Sequence, residues 1–225
     1  MPFRQAKILS DAQIKGILHY LETTRYPKRD RVIFLLNLKA GLRVSEIADL
    51  NWGMVLDGEG NIGNEIAFKD PSGKCSRNIP LNKRLKESLE ELKILMAEKT
   101  FTGNPLPKRN DYIIRSEREV KMVPHSLVLW FGKLYRKLGF DGFSSHSGRR
   151  TFITSCAKNI LMAGGSLKDV QELAGHQSLQ MTQSYLEEEI GAKKRVIEMI
   201  SLMSICYIGI KNKIVINPDL FLEII

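Results

Sequence analysis

The one clear β region in this chain lies in a single stretch, between Met54 and Leu81. MVLDGEGN, NEIAFK and SRNIPL are short, rich in β-branched residues and separated by Gly, Asn, Pro and Asp, with DPSGK as a hairpin turn. That stretch allows one small antiparallel sheet, and the rest reads as helix. Ser10, with Gln13 three residues on, marks a helix start, and Ile14, Ile17, Leu18 and Leu21 then share one face. Arg31 to Ala40 is a strongly apolar helix stopped by Gly41, and a short helix follows with Ser45 near its start. Asn82 caps a helix carrying Leu85, Leu89, Leu92 and Leu95, and Pro124 opens another through Leu138. Further helices begin near Ser147, Ser166 and Ser178, and one more covers Glu187 to Met203. FTGNPLPKRND is a loop, and neither an internal repeat nor a long linker is visible. The expectation is a mainly α domain with a small antiparallel β-sheet, of the α+β class.

The charge balance points to a polyanionic partner. The net charge is +9 over 225 residues, with a pI of about 9.5, which suits nucleic acid or a membrane surface. The most apolar run, Ile200 to Ile210, is too short to span a bilayer and precedes Lys211 and Lys213. MPFRQAKILSD lacks the apolar core of a secretory signal. Cys75, Cys156 and Cys206 are odd in number and widely spaced, which argues against a disulfide framework and for a reducing, cytoplasmic setting. They form no C-x-x-C and offer no convincing metal spacing.

Three stretches concentrate reactive side chains. In SSHSGRRTF, His146 and Arg149 stand three residues apart at a helix start, sharing a face where free N–H groups attract an anion. Arg149 can grip a phosphate through two parallel hydrogen bonds. In isolation H-x-x-R also fits a basic surface helix start with Arg150 solvated. In LAGHQSLQMTQSYL, a helix ends at Gly175, a turn exposes His176, and Tyr185 lies near the end of the next helix, partly exposed. In AGLRVSEIADLNW, Arg43 follows Gly41 between two apolar helices and needs a partner. Glu46, one turn on, supplies it, either structurally or by holding Arg43 in a cleft.

Taken together and in this order, these stretches resemble the tyrosine recombinase (phage integrase) family, from about Leu9 to Lys194. The family pattern is an arginine in a G-L-R-x-S-E box, a lysine in a β-hairpin, H-x-x-R, and G-H with a tyrosine nine residues later. Here it reads Gly41-Leu-Arg-Val-Ser-Glu46, His146 with Arg149, and Gly175-His176 with Tyr185. The hairpin, FKDPSGKCSRNIPL, has a longer turn than family hairpins that run T-K-x-G-K ahead of an R-x-x-P-L type strand. Lys69 matches the first family lysine and Lys74 the second, and Lys69 is preferred.

The resemblance implies attack by the Tyr185 hydroxyl on a DNA phosphodiester, giving a 3′-phosphotyrosyl link and a free 5′-hydroxyl. Arg43 and Arg149 would stabilise the charge on the phosphate oxygens, and His176 would donate a further hydrogen bond. His146 would take the phenolic proton and Lys69 would protonate the leaving oxygen. No cofactor, ATP or divalent cation is implied. Double-stranded DNA is the implied partner, with a nucleoid-associated location and self-association as a tetramer on DNA through the C-terminal helix.

On this resemblance the chain is expected to start directly at the catalytic domain's first helix, without the family's N-terminal DNA-binding domain. A catalytic domain over residues 1–199, including an exchange helix with Ile190, Val196, Ile197 and Ile200, is therefore expected, followed by an apolar tail over 200–225. Two other readings stay open: a type IB topoisomerase-like enzyme with the same active-site plan, and a non-catalytic DNA-binding regulator.

Overall fold

The computed structural model describes residues 6–69, 75–99, 107–118 and 121–185. The chain divides into two units, Met1–Tyr185 and Leu186–Ile225, and the described residues all belong to the first. The expected exchange helix, the domain boundary near residue 199, the apolar tail and Lys74 lie outside the described residues.

Eight α-helices and one sheet are present among those residues, as the sequence leads one to expect. They run α1 (Asp11–Leu21), α2 (Pro27–Lys39), α3 (Val44–Asp49), β1 (Glu65–Lys69), β2 (Cys75–Pro80), α4 (Lys83–Lys99), α5 (Pro124–Lys137), α6 (Ser147–Asn159), α7 (Leu167–Ala174) and α8 (Leu179–Gln183). At α1 the Ser10 hydroxyl accepts from the Gln13 N–H while the Gln13 side chain accepts from the Ser10 N–H, so two of the helix's orphan donors are satisfied locally. Helix α2 starts one turn earlier than its apolar run, because Pro27 is pre-set for the first helical position. It ends ahead of Gly41, whose φ of 63° turns the chain into α3.

Helix α2 forms the centre of the packing, since every residue from Val32 to Leu38 is buried. It packs against α4 on one side and α6 on another, while α3 packs on α5. One polar side chain sits inside this apolar helix. Asn37 is fully buried, and its Nδ2 donates to the carbonyls of Leu42 (2.9 Å) and Ser145 (3.1 Å). Those carbonyls directly precede Arg43 and His146, so one amide ties together the starts of α3 and α6. Gly148 is required opposite it, because a Cβ there would run into Asn37 Oδ1.

The sheet has two strands, antiparallel, with Phe68 opposite Arg77 and a register shift between Phe68 and Lys69. Of the three β-type segments, the first is not a strand. Trp52–Met54 is a single 3₁₀ turn, and Asp57 then accepts through Oδ1 from the N–H groups of Glu59 and Asn61. That local turn folds the chain back at once, leaving only an isolated bridge between Leu56 and Ile62. Asn82 caps as expected, its Oδ1 accepting from the Arg84 N–H at 3.1 Å. Among the described residues no helix is long and apolar enough to cross a membrane.

Candidate active site

The site forms around the C-terminal end of α7. Gly175 closes this helix in the left-handed conformation, φ 60° and ψ 46°. A helix end leaves carbonyls without intrahelical donors and carries the negative pole of the macrodipole, so cations are drawn there. Two arginines from distant segments take those positions. Arg149, on α6, donates from Nη2 to the Ala174 carbonyl at 2.7 Å and from Nη1 to the Gly41 carbonyl at 2.5 Å. Arg43, capping α3, donates from Nη2 to the Gly175 carbonyl at 3.2 Å.

The two arginines differ in exposure. Arg149 is only 4% exposed, and burial followed by repulsion from Arg43 pulls its pKa down to about 10. It remains a cation at neutral pH. The Arg43 side chain is 40% exposed and keeps contact with the cleft. Glu46 holds it as the sequence suggests: Oε2 accepts from the Arg43 backbone N–H at 2.7 Å and Oε1 from its guanidinium at 3.3 Å.

His176 corrects one expectation. The turn expected to expose it leaves the residue only 7% exposed, with Nδ1 2.9 Å from the Oγ1 of fully buried Thr182. Burial, then the neighbouring Arg149, Arg43 and Arg77 charges, lower its pKa to about 4. The imidazole is therefore neutral at pH 7. If the Thr182 hydroxyl donates to Nδ1, the proton sits on Nε2, which is then a donor toward the cleft. Tyr185 follows α8 and is partly exposed, as expected. Its ring stacks on His176 with centroids 5.6 Å apart and planes at 20°.

His146 stands at the N-cap of α6 with an exposed side chain, and its backbone N–H donates to Ser144 Oγ at 3.3 Å. Its neighbour Arg150 is not solvated: it is 9% exposed and donates from Nη1 to the Ala6 carbonyl at 2.7 Å. Lys69 ends β1, paired with Cys75 across the hairpin. The structure thus gathers Arg43, Arg149, His176 and Tyr185 at one place, with His146 at the head of the helix that carries Arg149 and Lys69 on the adjoining strand.

One residue of the site escaped the sequence reading. Arg77, on β2, donates from Nη2 to Glu46 Oε1 at 3.0 Å and lies over the Phe68 ring at 4.7 Å. Its signal was present in the R-x-x-P-L pattern of the strand, but nothing local said where the guanidinium would go. Arg43, Glu46, Phe68, Arg77, Gln171, Glu172 and His176 line a cleft of about 810 Å³. The lining balances two guanidiniums, Arg43 and Arg77, against two carboxylates, Glu46 and Glu172, and the buried guanidinium of Arg149 on the Ala174 carbonyl adds a positive charge close by. Among the described residues no group of three or more His, Cys, Asp or Glu is placed to hold a metal ion.

The chain is similar to known proteins in both sequence and fold. Residues 7–190 match the model of the phage integrase family. Tyrosine recombinase XerC of Thermodesulfovibrio yellowstonii is 32% identical over 180 residues, covering 76% of this chain and 53% of the relative. Tyrosine recombinase XerA of Thermococcus onnurineus is 29% identical over 209 residues, 90% of this chain and 66% of the relative. The chain therefore spans between half and two thirds of the length of these relatives. A crystal structure of XerA recombinase superposes with a TM-score of 0.66 at 21% identity, covering 88% of this chain and 66% of that one, a likeness of fold.

Proposed function

The chain belongs to the phage integrase family, and on that premise we propose that it is a site-specific DNA recombinase that cleaves and rejoins duplex DNA through Tyr185. The observation that carries this reading is the convergence of two guanidiniums, a buried neutral imidazole and a phenol on the end of α7. These side chains come from three separate helical segments, and capping the end of α7, which the guanidiniums do, would not by itself call for a partly exposed phenol stacked on a buried imidazole.

In the proposed reaction the Tyr185 oxygen attacks phosphorus, forming the tyrosyl P–O bond as the P–O5′ bond breaks. His146 accepts the phenolic proton, and Lys69 gives one to the departing 5′-oxygen, so the strand ends in a free hydroxyl. Arg43 and Arg149 act on the non-bridging oxygens, where charge accumulates in the transition state. Their backbone anchors hold both guanidiniums before substrate arrives, which lowers the reorganisation needed during reaction. His176 Nε2–H adds one neutral hydrogen bond. The phosphotyrosyl ester keeps the energy of the broken linkage, so a second 5′-hydroxyl can reverse the step without ATP.

Duplex DNA is the proposed partner, and the basic surplus of +9 supports salt-dependent backbone affinity. Tetramer formation through the segment after Tyr185 belongs to the same proposal. The test uses nicked duplexes of randomised sequence, which trap a covalent adduct because the short cleaved strand diffuses away. Adducts should form on a subset of sequences and disappear with Tyr185→Phe, while DNA binding is retained. Binding without adducts on any sequence would support a regulatory DNA-binding protein. Adducts that persist in Tyr185→Phe would assign the nucleophile elsewhere.

A further inference from the structure

We infer that Arg77 is a positioning residue for leaving-group protonation: it locks the β1–β2 hairpin, which carries Lys69, onto the arginine cleft. This rests on the reading of Lys69 as the general acid.

Four observations meet at this side chain. Arg77 Nη2 donates to the Glu46 oxygen that also receives Arg43 Nη1, so the hairpin and the start of α3 share one carboxylate. The guanidinium lies over the ring of Phe68, its direct cross-strand partner, which fixes its plane. Its Nη1 fills the space beside Gly175 that a Cβ would need, so the left-handed turn is pressed against β2. The side chain is only 11% exposed, with Nε buried and without a hydrogen-bond partner. Burial lowers the pKa of Arg77, and Glu46 opposes that shift. A guanidinium held at such desolvation cost on a two-stranded hairpin has a use beyond solubility.

The hairpin needs such a lock. Two paired strands are marginal alone and take their position from what they pack on. Immediately beyond Phe68 the register shifts, so Lys69 follows an irregular step in the ladder rather than a regular one. The last firm tertiary fixture before that step is the Phe68–Arg77–Glu46 stack. Arginine suits the role because one planar group can stack on a ring and donate in its own plane at once, which an ammonium cannot.

The inference separates from simple phosphate binding by its chemical signature. A misplaced general acid slows departure of a 5′-oxygen, whose alkoxide needs a proton, but hardly affects a 5′-bridging sulfur, which leaves as a thiolate. Single-turnover adduct formation is measured on matched oxygen and sulfur substrates for wild type, Arg77→Met and Lys69→Ala. Arg77→Met is expected to slow the oxygen substrate about 10- to 100-fold and the sulfur substrate less than about threefold. Arg77→Lys, which keeps a cation beside Glu46, guards against loss of fold and should show the same selectivity at smaller size. Equal slowing on both substrates, or no slowing, overturns the inference when Lys69→Ala is itself rescued by sulfur. If Lys69→Ala is not rescued, the general-acid reading falls and the inference falls with it.

Discussion

Asn37→Ala offers a direct measure of how firmly the site is tied to the core. The amide makes two hydrogen bonds from a fully buried position, to the carbonyls of Leu42 and Ser145. Each such bond contributes about 1 kcal/mol net, and up to about 3 kcal/mol where the acceptor is left unsatisfied. An opposing term exists, because Asn37 Oδ1 has no hydrogen-bond partner and its removal relieves one buried orphan. Two lost donors and a small cavity outweigh one relieved acceptor, for a net destabilisation of about 3 kcal/mol. For a chain of this size that lowers Tm by about 6–12 °C, measurable by calorimetry or circular dichroism. Activity should fall further than the unfolded fraction accounts for, since Leu42 and Ser145 set the backbone from which Arg43 and His146 project. Adduct formation about 20 °C below the variant's Tm should therefore be roughly tenfold slower or worse. A Tm shift under about 3 °C with unchanged adduct rate would refute the argument, and would mean that packing alone holds the starts of α3 and α6.

Other outcomes follow from the site. His176 has a folded pKa of about 4 against an ordinary 6.5, so between those values the unfolded chain binds a proton that the fold refuses. Stability should therefore fall as pH drops from about 6.5 to about 4, by up to about 1.4 kcal/mol per pH unit from this group, and urea melts of His176→Gln should show a shallower dependence. Gly175→Ala should cost at least about 1–2 kcal/mol through its left-handed backbone. It should also slow adduct formation on a normal phosphodiester about 10- to 100-fold, because the new methyl displaces Arg77; a variant with wild-type melting and cleavage would refute the close approach of β2 to this turn. Cleavage should proceed in excess EDTA, since Arg43 and Arg149 are assigned the charge stabilisation, and activity lost to chelator and recovered with magnesium would refute that assignment.

The parts of this protein legible in its sequence are those governed by neighbours along the chain. Ser10 with Gln13, Gly41, Pro124, Asn82 and Gly175 act on backbone within one turn of themselves, so their effects carried over to the structure intact. The pairing of NEIAFK with SRNIPL was equally local, since only six residues of sequence separate the two segments. MVLDGEGN failed for a local reason that outweighed composition: the Asp57 carboxylate captured two backbone donors and made a turn where β-branched residues suggested a strand.

The order Arg43, His146, Arg149, His176, Tyr185 was visible as a pattern, but its geometry was not. Which carbonyls the arginines grasp depends on where α7 ends relative to α3 and α6, a matter of packing between segments more than a hundred residues apart. Burial of His176 against Thr182, with the charges of Arg149, Arg43 and Arg77 near enough to act on it, depends on segments that meet only in the folded chain. Neither Asn37, the amide within RVIFLLNLKA, nor Arg77, within SRNIPL, was singled out by the sequence. Their partners, Leu42, Ser145 and Glu46, were fixed only by tertiary structure, because a hydrogen bond needs a position and a direction. Sequence periodicity supplies a face, and only packing supplies the rest.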